Sequence, residues 1–305
     1  MIDQPGCYEI SAAEYHADPV VEPSLSSSIA RTLLAYSPHH AWWEQPRLHP
    51  GLEREEKEIF DLGTVAHAYI LQGESDFTII DAKDYRTKDA QGARDAARLE
   101  GKTPILAHRW QDVQDMAHAV ELQLGAFEDL PIPFTGGKAE QTLVWREGNI
   151  WCRARLDWLH MDYRTIDDLK STAMSANPDL WGRALWNAGH DVQDAFYRRG
   201  VKAVFGVDAS FRFIVVENTQ PFELSVISLD PAGQELAERK VKRAIGLWEA
   251  CLETGRWPGY PRRTCYVDVP PWEEARLMEK ELRAEGIRDD GRPIGEQLAG
   301  MGDGR

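Results

Sequence analysis

Two acids and a lysine on neighbouring strand-like segments have the types and spacing needed for phosphodiester chemistry. Asp157 lies late in one segment, and Asp168 and Lys170 close the next one. Residues two apart in a strand share a face, so Asp168 and Lys170 project together while Leu169 turns into the core. If the two strands are neighbours, Asp157 lies beside Asp168, and such carboxylates repel each other unless a divalent cation lies between them. A lysine there can hold or deprotonate a water, or neutralise a phosphate oxygen, so the set predicts metal-assisted phosphodiester hydrolysis.

The acid-x-lysine pattern alone is weak, because it occurs five times, at Glu55-Lys57, Asp81-Lys83, Glu100-Lys102, Asp168-Lys170 and Glu238-Lys240. Three of these lie in helical or charged segments and indicate solvated surface. The serious rival is Asp81 with Lys83, because that pair also follows a strand-like run, 77–80. No strand ending in an acid precedes the rival pair, so the sequence favours Asp168 and Lys170.

A helical segment that follows these residues carries Gln193 and Tyr197. Their spacing of four places both side chains on one helix face. A routine polar helix face is the alternative interpretation, but the position directly after the acids favours a functional one.

The elements that must position these residues change type along the chain. Apolar residues at spacings of three and four predict helices, and alternation predicts strands. The predicted helices are 24–36, stopped by Pro38, then 54–72, 110–127, 178–204 and 233–254, while 84–103 is an exposed helix or a mobile loop. The predicted strands are 141–147, 150–161, 164–169, 211–217 and 222–229, the first two joined by a tight Gly148-Asn149 turn. This order predicts an α/β (α+β) fold in which helices flank a mixed central sheet with a three-strand meander.

Length and composition favour one main domain. The chain has 305 residues, and its 43% hydrophobic content with 11 Trp excludes a wholly disordered protein. With no repeat or low-complexity linker, we predict a single domain over 1–285, made of an N-terminal helical part, 1–130, and a catalytic core, 131–260. The polar, Gly-rich residues 286–305 predict a disordered tail.

Charge and cysteine content narrow the class of protein. A net charge of −15 argues against a protein that coats nucleic acid non-specifically. It does not argue against an enzyme whose carboxylates hold metal ions. We expect a cytoplasmic protein without membrane association, because no signal peptide or long apolar run is visible. The scattered thiols, Cys7, Cys152, Cys251 and Cys265, are typical of reduced cysteines in that compartment.

Three strings of the chain resemble the PD-(D/E)xK nuclease superfamily in its RecB-like branch. They are RLDWL at 155–159 (motif II), IDDLKS at 166–171 (motif III) and VQDAFY at 192–197 (the trailing Gln-x-x-x-Tyr). The chain is more specifically similar to the RecE-type (exonuclease VIII) phage recombination exonucleases. That similarity rests on Leu25-Ser26-x-Ser28, Ser37-Pro38-His39, 84–88, 101–106 and 256–260, which occur in shared order. The resemblance implies a restriction-endonuclease-like core.

The resemblance also implies a metal site. His67, on an upstream helix, matches the metal-binding histidine of the branch, although a lone histidine on an apolar helix face is usually a core residue. With His67, Asp157 and Asp168 would bind Mg²⁺ or Mn²⁺. The Leu169 carbonyl would complete the ligand shell, and Lys170 would position the attacking water.

Three further residues receive supporting roles from the resemblance. Gln193 would orient Lys170 or a substrate phosphate, and Tyr197 would support Gln193. Glu140 matches a position where the family often has an additional acid, but it is equally well explained as an ordinary strand-edge acid.

Basic residues near these motifs are candidates for contact with the DNA backbone. They are Arg198, Arg199 and Lys202, one turn past the Gln-x-x-x-Tyr motif, and Arg86 and Lys88, on a loop that could close over DNA.

The tryptophans Trp42, Trp43, Trp181 and Trp186 are expected in the core instead of serving as base-stacking platforms. The cysteine spacing departs from that of the iron–sulfur members of the branch, so we predict no cluster.

The resemblance implies a Mg²⁺-dependent exonuclease that degrades linear double-stranded DNA from 5′ to 3′. Its 3′ overhangs would pass to a RecT-type single-strand annealing protein in phage-type recombination, and a homo-oligomer is expected. Two alternatives remain at this point: a single-strand or structure-specific repair nuclease, and an inactive nuclease-fold module for DNA binding or assembly.

Overall fold

The computed structural model describes residues 1–51, 62–73 and 77–284, which belong to two compact units. The first unit is Met1–Gly259, and the second, Tyr260–Arg305, contains one described helix. Among the described residues, the last buried apolar side chain is that of Cys251, and the single domain over 1–285 stays a prediction. The predicted tail, 286–305, lies outside the described residues.

The described elements alternate between helices and strands along most of the chain. The strands are β1 (Gly6–Tyr8), β2 (Phe77–Ile80), β3 (Thr103–Leu106), β4 (Gly137–Glu147), β5 (Ile150–His160), β6 (Thr165–Thr172), β7 (Ser210–Glu217) and β8 (Leu224–Ile227). The helices are α1 (Ala12–His16), α2 (Ser27–Ala35), α3 (Pro38–Glu44), α4 (Leu62–Gln72), α5 (Lys88–Leu99), α6 (Ala107–Gly125), α7 (Pro178–Asn187), α8 (His190–Phe205), α9 (Pro231–Thr254) and α10 (Pro271–Ala284).

A six-stranded mixed sheet forms the centre of the first unit, in the order β1-β4-β5-β6-β7-β8. Strands β4, β5 and β6 are the antiparallel meander, and β6 pairs with β7 in parallel. The predicted mixed sheet with flanking helices is confirmed. Strands β2 and β3 pair in parallel in a separate two-stranded sheet.

The core on one side of the sheet brings α8 close to β4. The indole of Trp145 lies 5.0 Å from the ring of Phe196, centroid to centroid, within a cluster that also holds Phe213 and Trp248. Gly200 makes this approach possible, since a Cβ there would lie 2.9 Å from the Trp145 ring. The close packing fixes the position of α8, which carries Gln193 and Tyr197.

A second core fixes α4 and α6 through different residues of the same strands. Leu169 of β6 and Ile214 of β7 pack with Val65 and Ala66 of α4 and with Met116 of α6. Leu169 therefore turns into the core, as predicted, and α4 is anchored beside the strands that carry the acids.

The structure corrects several predicted element boundaries. Pro38 does not merely stop a helix, because with its cap Ser37 it begins α3. The predicted helix 178–204 is two helices, separated where Gly189 adopts a left-handed backbone with φ of 69°. The predicted strand 222–229 is shorter, and β1 was not predicted. Residues 54–61 of the predicted helix 54–72 lie outside the described residues.

The tryptophans divide between core and surface. Trp181 is buried, whereas Trp43 is 48% exposed and stacks on His49 with ring centroids 4.1 Å apart. The expectation that Trp43 lies in the core was therefore wrong. All four cysteines carry free thiols. Among the described helices, none has the length and apolar character needed to cross a membrane.

Candidate active site

Glu140 and Asp157 occupy facing positions on β4 and β5. The register pairs Ala139 with Trp158 and Gln141 with Leu156, so the residue between them on each strand is one of the two acids. Like charges placed directly opposite in a sheet repel each other. Glu140 also has a left-handed backbone, with φ of 55°. Local strain and charge repulsion at one position are features of functional sites.

Asp168 joins these acids where β5 and β6 separate. The last paired residues of the two strands include Trp158 and Asp167, one step before the acids. Beyond that point the Leu169 amide donates a 2.9 Å hydrogen bond to Oδ2 of Asp157 instead of to a strand partner. Asp157 and Asp168 are thus neighbours, as the sequence predicts for adjacent strands.

His67 approaches the same acids from α4. Its Nε2 lies 2.8 Å from Oδ2 of Asp157, and its Nδ1 lies 3.9 Å from Oε1 of Glu140. One ligand atom from each of these three residues lies within 4.8 Å of the others. We call His67, Glu140, Asp157 and Asp168 the acidic cluster.

Asp168 is the most buried carboxylate of the acidic cluster. It is fully buried, forms an ion pair with Lys170 and accepts a 2.6 Å hydrogen bond from Nε2 of Gln193. Burial and the negative charge of Asp157 raise the pKa of Asp168 to about 6, although Lys170 opposes the shift. Carboxyl groups with such raised pKa values are typical of active sites.

The pKa shifts of Asp157 and His67, unlike that of Asp168, favour the charged form of each group. Burial works against an ionised Asp157, but the charge and hydrogen bond of His67 lower the pKa of Asp157 overall. Burial likewise opposes a charged His67, yet the adjoining Asp157, with Glu140 and Asp168, raises the pKa of His67 above its ordinary value. The surroundings of His67 therefore favour its protonated, positively charged form.

A divalent metal ion fits this donor set. Carboxylate oxygens suit Mg²⁺ and Mn²⁺, and imidazole is an accepted ligand for first-row metals. A cation would offset the burial and the repulsion from Asp157 that raise the pKa of Asp168, and it would displace a proton from His67. His67, Asp157, Asp168 and Glu140 are the residues that would hold the ion.

Tyr197 lies near the site without contacting the carboxylates directly. Its ring packs against Phe211 at 5.9 Å, and its hydroxyl hydrogen-bonds with Ser27 of α2. Burial raises the pKa of this phenol well above its ordinary value. Tyr197 therefore links α8 to α2, and its support of Gln193 stays a prediction.

The structure distinguishes the two neighbouring acids of the string IDDLKS. Asp167 projects to the opposite face, where its carboxylate contacts His160 at 2.7 Å, Arg212 at 2.7 Å and the amide of Phe134 at 3.1 Å. These contacts are all with protein groups that hold the fold together, and Asp168 is the one of the two that belongs to the acidic cluster.

The basic residues predicted on α8 do not meet the acidic cluster. Arg199 binds Glu147 and Glu238, Arg198 binds Asp194, and Lys202 binds Asp208. Glu147 lies seven residues along β4 from Glu140, which is about 23 Å at the strand rise. These cations lie at the turn end of the hairpin and are already paired with carboxylates.

The other predicted DNA contacts lie around the start of α5. The Arg86 side chain is 91% exposed, with Nε 3.6 Å from Asp84, and Lys88 begins α5. Their contact with DNA stays a prediction.

Arg155 contacts the site but was not predicted. Its guanidinium pairs with Glu140, and it lies two residues before Asp157 on the same face of β5. That spacing was a usable signal, because strand residues two apart share a face.

Comparison with known proteins shows the family to which the chain belongs. The family profile for the PDDEXK-like domain of unknown function DUF3799 matches residues 34–268. The chain belongs to this family. Membership confirms the restriction-endonuclease-like fold class and the place of the chain among PD-(D/E)xK proteins.

Two solved structures are similar to this DUF3799 chain. A candidate exonuclease from Eubacterium rectale aligns with a TM-score of 0.53 and 10% identity, covering 88% of this chain and 98% of its own. The protein named SSO0001 aligns with a TM-score of 0.26 and 10% identity over 61% of this chain and 84% of its own. We draw no conclusion from an alignment with so low a TM-score. No curated protein matches. At such identities the first likeness supports the fold alone.

Proposed function

We propose that this DUF3799 protein is a metal-dependent nuclease that hydrolyses phosphodiester bonds of DNA. The observation that carries the proposal is the juxtaposition of the acidic cluster with Lys170 and Gln193. Family membership and the fold of the candidate exonuclease support it. The −15 net charge is compatible with it, because a divalent cation, and not the protein surface, would meet the scissile phosphate.

Each residue has a separate task in the proposed reaction. Mg²⁺ or Mn²⁺, when bound, supplies Lewis-acid polarisation of the phosphate and a more acidic water. His67, Asp157, Asp168 and the Leu169 carbonyl would bind it, with Glu140 as a further carboxylate. Lys170, held by Asp168, presents its Nζ to the attacking water or to the phosphate.

Gln193 keeps Asp168 in place. Its amide nitrogen donates to Oδ1 of Asp168, so the carboxylate cannot rotate away from Lys170. Such fixed partners around reacting groups lower the reorganisation needed in the transition state.

The finer proposal is an exonuclease that degrades linear duplex DNA from 5′ to 3′ in phage-type recombination. Its support is the resemblance of the motifs to RecE-type enzymes. A RecT-type annealing partner, a homo-oligomer and a cytoplasmic location belong to the same proposal.

Digestion of linear duplex DNA carrying a 5′ or a 3′ label, with and without Mg²⁺, tests the proposal. Early Mg²⁺-dependent release of the 5′ label is expected, with slower loss of the 3′ label. Cleavage restricted to single strands or to branched DNA would favour a repair nuclease. Binding without cleavage in either metal would favour an inactive module and contradict the proposal.

The double variant Asp81→Asn, Lys83→Ala tests the rival acid-x-lysine pair. This pair follows β2 in the two-stranded sheet, and the partner strand β3 carries no acid. We expect cleavage within a few-fold of wild type. A collapse in rate with an unchanged melting temperature would move the active site to 77–83.

His67→Ala should weaken Mn²⁺ binding at least about tenfold at pH 8, because one ligand is lost. The raised pKa of His67 means that protons compete with the metal below neutral pH. The difference from wild type should therefore narrow as the pH falls towards 6. Calorimetry without DNA measures the Mn²⁺ affinities of wild type and variant at pH 8 and pH 6. Equal affinities at pH 8 would mean that His67 is a core residue and not a metal ligand.

A further inference from the structure

Arg155 is held at two points beside the acidic cluster. Its Nε pairs with Oε2 of Glu140, and its Nη1 donates a 2.7 Å hydrogen bond to the carbonyl of Ile10. The side chains of Arg155 and Glu140 are only 14% and 17% exposed. A guanidinium fixed in this way acts as a permanent charge, because it does not lose its proton in proteins.

The pairing divides the two oxygens of Glu140 between two tasks. Oε2 is occupied by Arg155, while Oε1 faces His67 at 3.9 Å. Oε1 is the oxygen that lies towards the imidazole, near Nδ1, while Asp157 contacts Nε2 of the same ring. Glu140 can therefore offer one oxygen to a cation in this arrangement, and it is not arranged to bridge two.

The charge balance points the same way. Among the described residues of the acidic cluster and their ion-pair partners, there are three carboxylates and two cations. The cations are Arg155, paired with Glu140, and Lys170, paired with Asp168. With His67 neutral as a ligand, the set carries one net negative charge. One divalent cation reverses its sign, whereas a second would leave three net positive charges within a partly buried site, which is strongly unfavourable.

We infer that Arg155 is a positioning residue that limits the acidic cluster to one divalent cation before DNA binds. This inference rests on the proposed function, because it assumes that the cluster holds the catalytic metal. Arg155 occupies one face of Glu140 with a fixed positive charge. A second cation would have to displace that charge or arrive together with the negative phosphates of the substrate.

The test is the number of Mn²⁺ ions bound per chain, measured by calorimetry at pH 8 without DNA. Arg155→Gln keeps a hydrogen-bond donor but removes the charge, whereas Arg155→Lys keeps the charge but not the planar fork. Arg146→Gln is the matched control, because Arg146 is an exposed arginine at the other end of the same hairpin. Melting temperatures without metal check that each variant is folded.

We expect one Mn²⁺ in wild type, Arg155→Lys and the Arg146 control, and two in Arg155→Gln. Two ions in wild type or in Arg155→Lys, or one ion in a folded Arg155→Gln, would overturn the inference. Two ions in wild type overturn the inference even if Arg155→Gln does not fold. Two ions in an enzyme that cleaves DNA would leave the nuclease proposal intact, whereas no Mn²⁺ and no cleavage would overturn both.

Discussion

Asp168→Asn should reduce Mg²⁺-dependent cleavage by about a thousand-fold or more, since metal clamps on a phosphoryl group contribute several kcal/mol to the transition state. The substitution keeps the shape of the side chain but removes the charge that attracts the cation. The comparison is the single-turnover cleavage rate of wild type and variant at saturating DNA. Asp81→Asn is the matched control, because Asp81 directly follows β2 in the separate two-stranded sheet. This control should cleave like wild type.

The same variant has an expected signature in stability without metal. Asp168 has a pKa raised from 3.8 to about 6 in the folded protein, so its protonated form favours folding. Wild-type stability from this group is present below about pH 4 and is lost as the pH rises through 6. Asparagine does not titrate, so the melting temperature of Asp168→Asn should equal or exceed that of wild type at pH 7.5. A large drop there, or substantial remaining cleavage, would show that the site is misplaced.

The part of the site that could be predicted from sequence depends on short-range geometry. Alternation along β5 and β6 and the turn at Gly148-Asn149 are local patterns, so the meander follows directly. The meander then places Asp157 next to Asp168, and the two-residue period places Lys170 with Asp168. These relations need no knowledge of distant segments.

The roles of the arginines could not be predicted, because they depend on contacts far apart in the chain. Arg155 is fixed by Ile10, 145 residues away, and Arg199 is fixed by Glu147 and Glu238, 52 and 39 residues away. The sequence position one helical turn past a motif does not reveal these acidic partners, and contact of the α8 cations with DNA stays a prediction. The α8 cations are thus part of an ion-pair network at the far end of the hairpin.

The predicted helix boundaries were wrong for a related reason. The apolar spacing of α7 continues into α8, so the periodicity indicates one helix over 178–204. The break depends on Gly189, which alone tolerates its left-handed backbone without cost while the Arg31 side chain lies against it. The three residues of β1 are too few to show any period, and only pairing with β4 defines that strand.

Lys170→Ala separates the attack of water from metal binding. Lys170 is paired with the buried Asp168, and its own side chain is 22% exposed, so Nζ can reach solvent-borne substrate. As a cation it should repel the metal, while its contact with water or phosphate strengthens as charge develops in the transition state. Loss of one such fixed donor typically costs about a hundred- to a thousand-fold in rate.

Metal affinity should respond to Lys170→Ala in the opposite direction from Asp168→Asn. Lys170 lowers the pKa of Asp168, so its removal raises that pKa further and lets protons compete with the metal at neutral pH. The comparison therefore belongs at pH 8.5, where the carboxylate is ionised in both proteins. There Mn²⁺ should bind Lys170→Ala as tightly as wild type or more tightly.

Lys170→Arg completes the test, because it keeps a positive charge but changes its form. A planar, always-protonated guanidinium neither matches a point charge nor acts as a base, so rescue of the cleavage rate should be incomplete. Lys83→Ala is the control for removal of a lysine from an acid-x-lysine pair. If Lys170→Ala loses Mn²⁺ as severely as Asp168→Asn at pH 8.5, Lys170 is a structural partner of the carboxylates, and its role in positioning water is wrong.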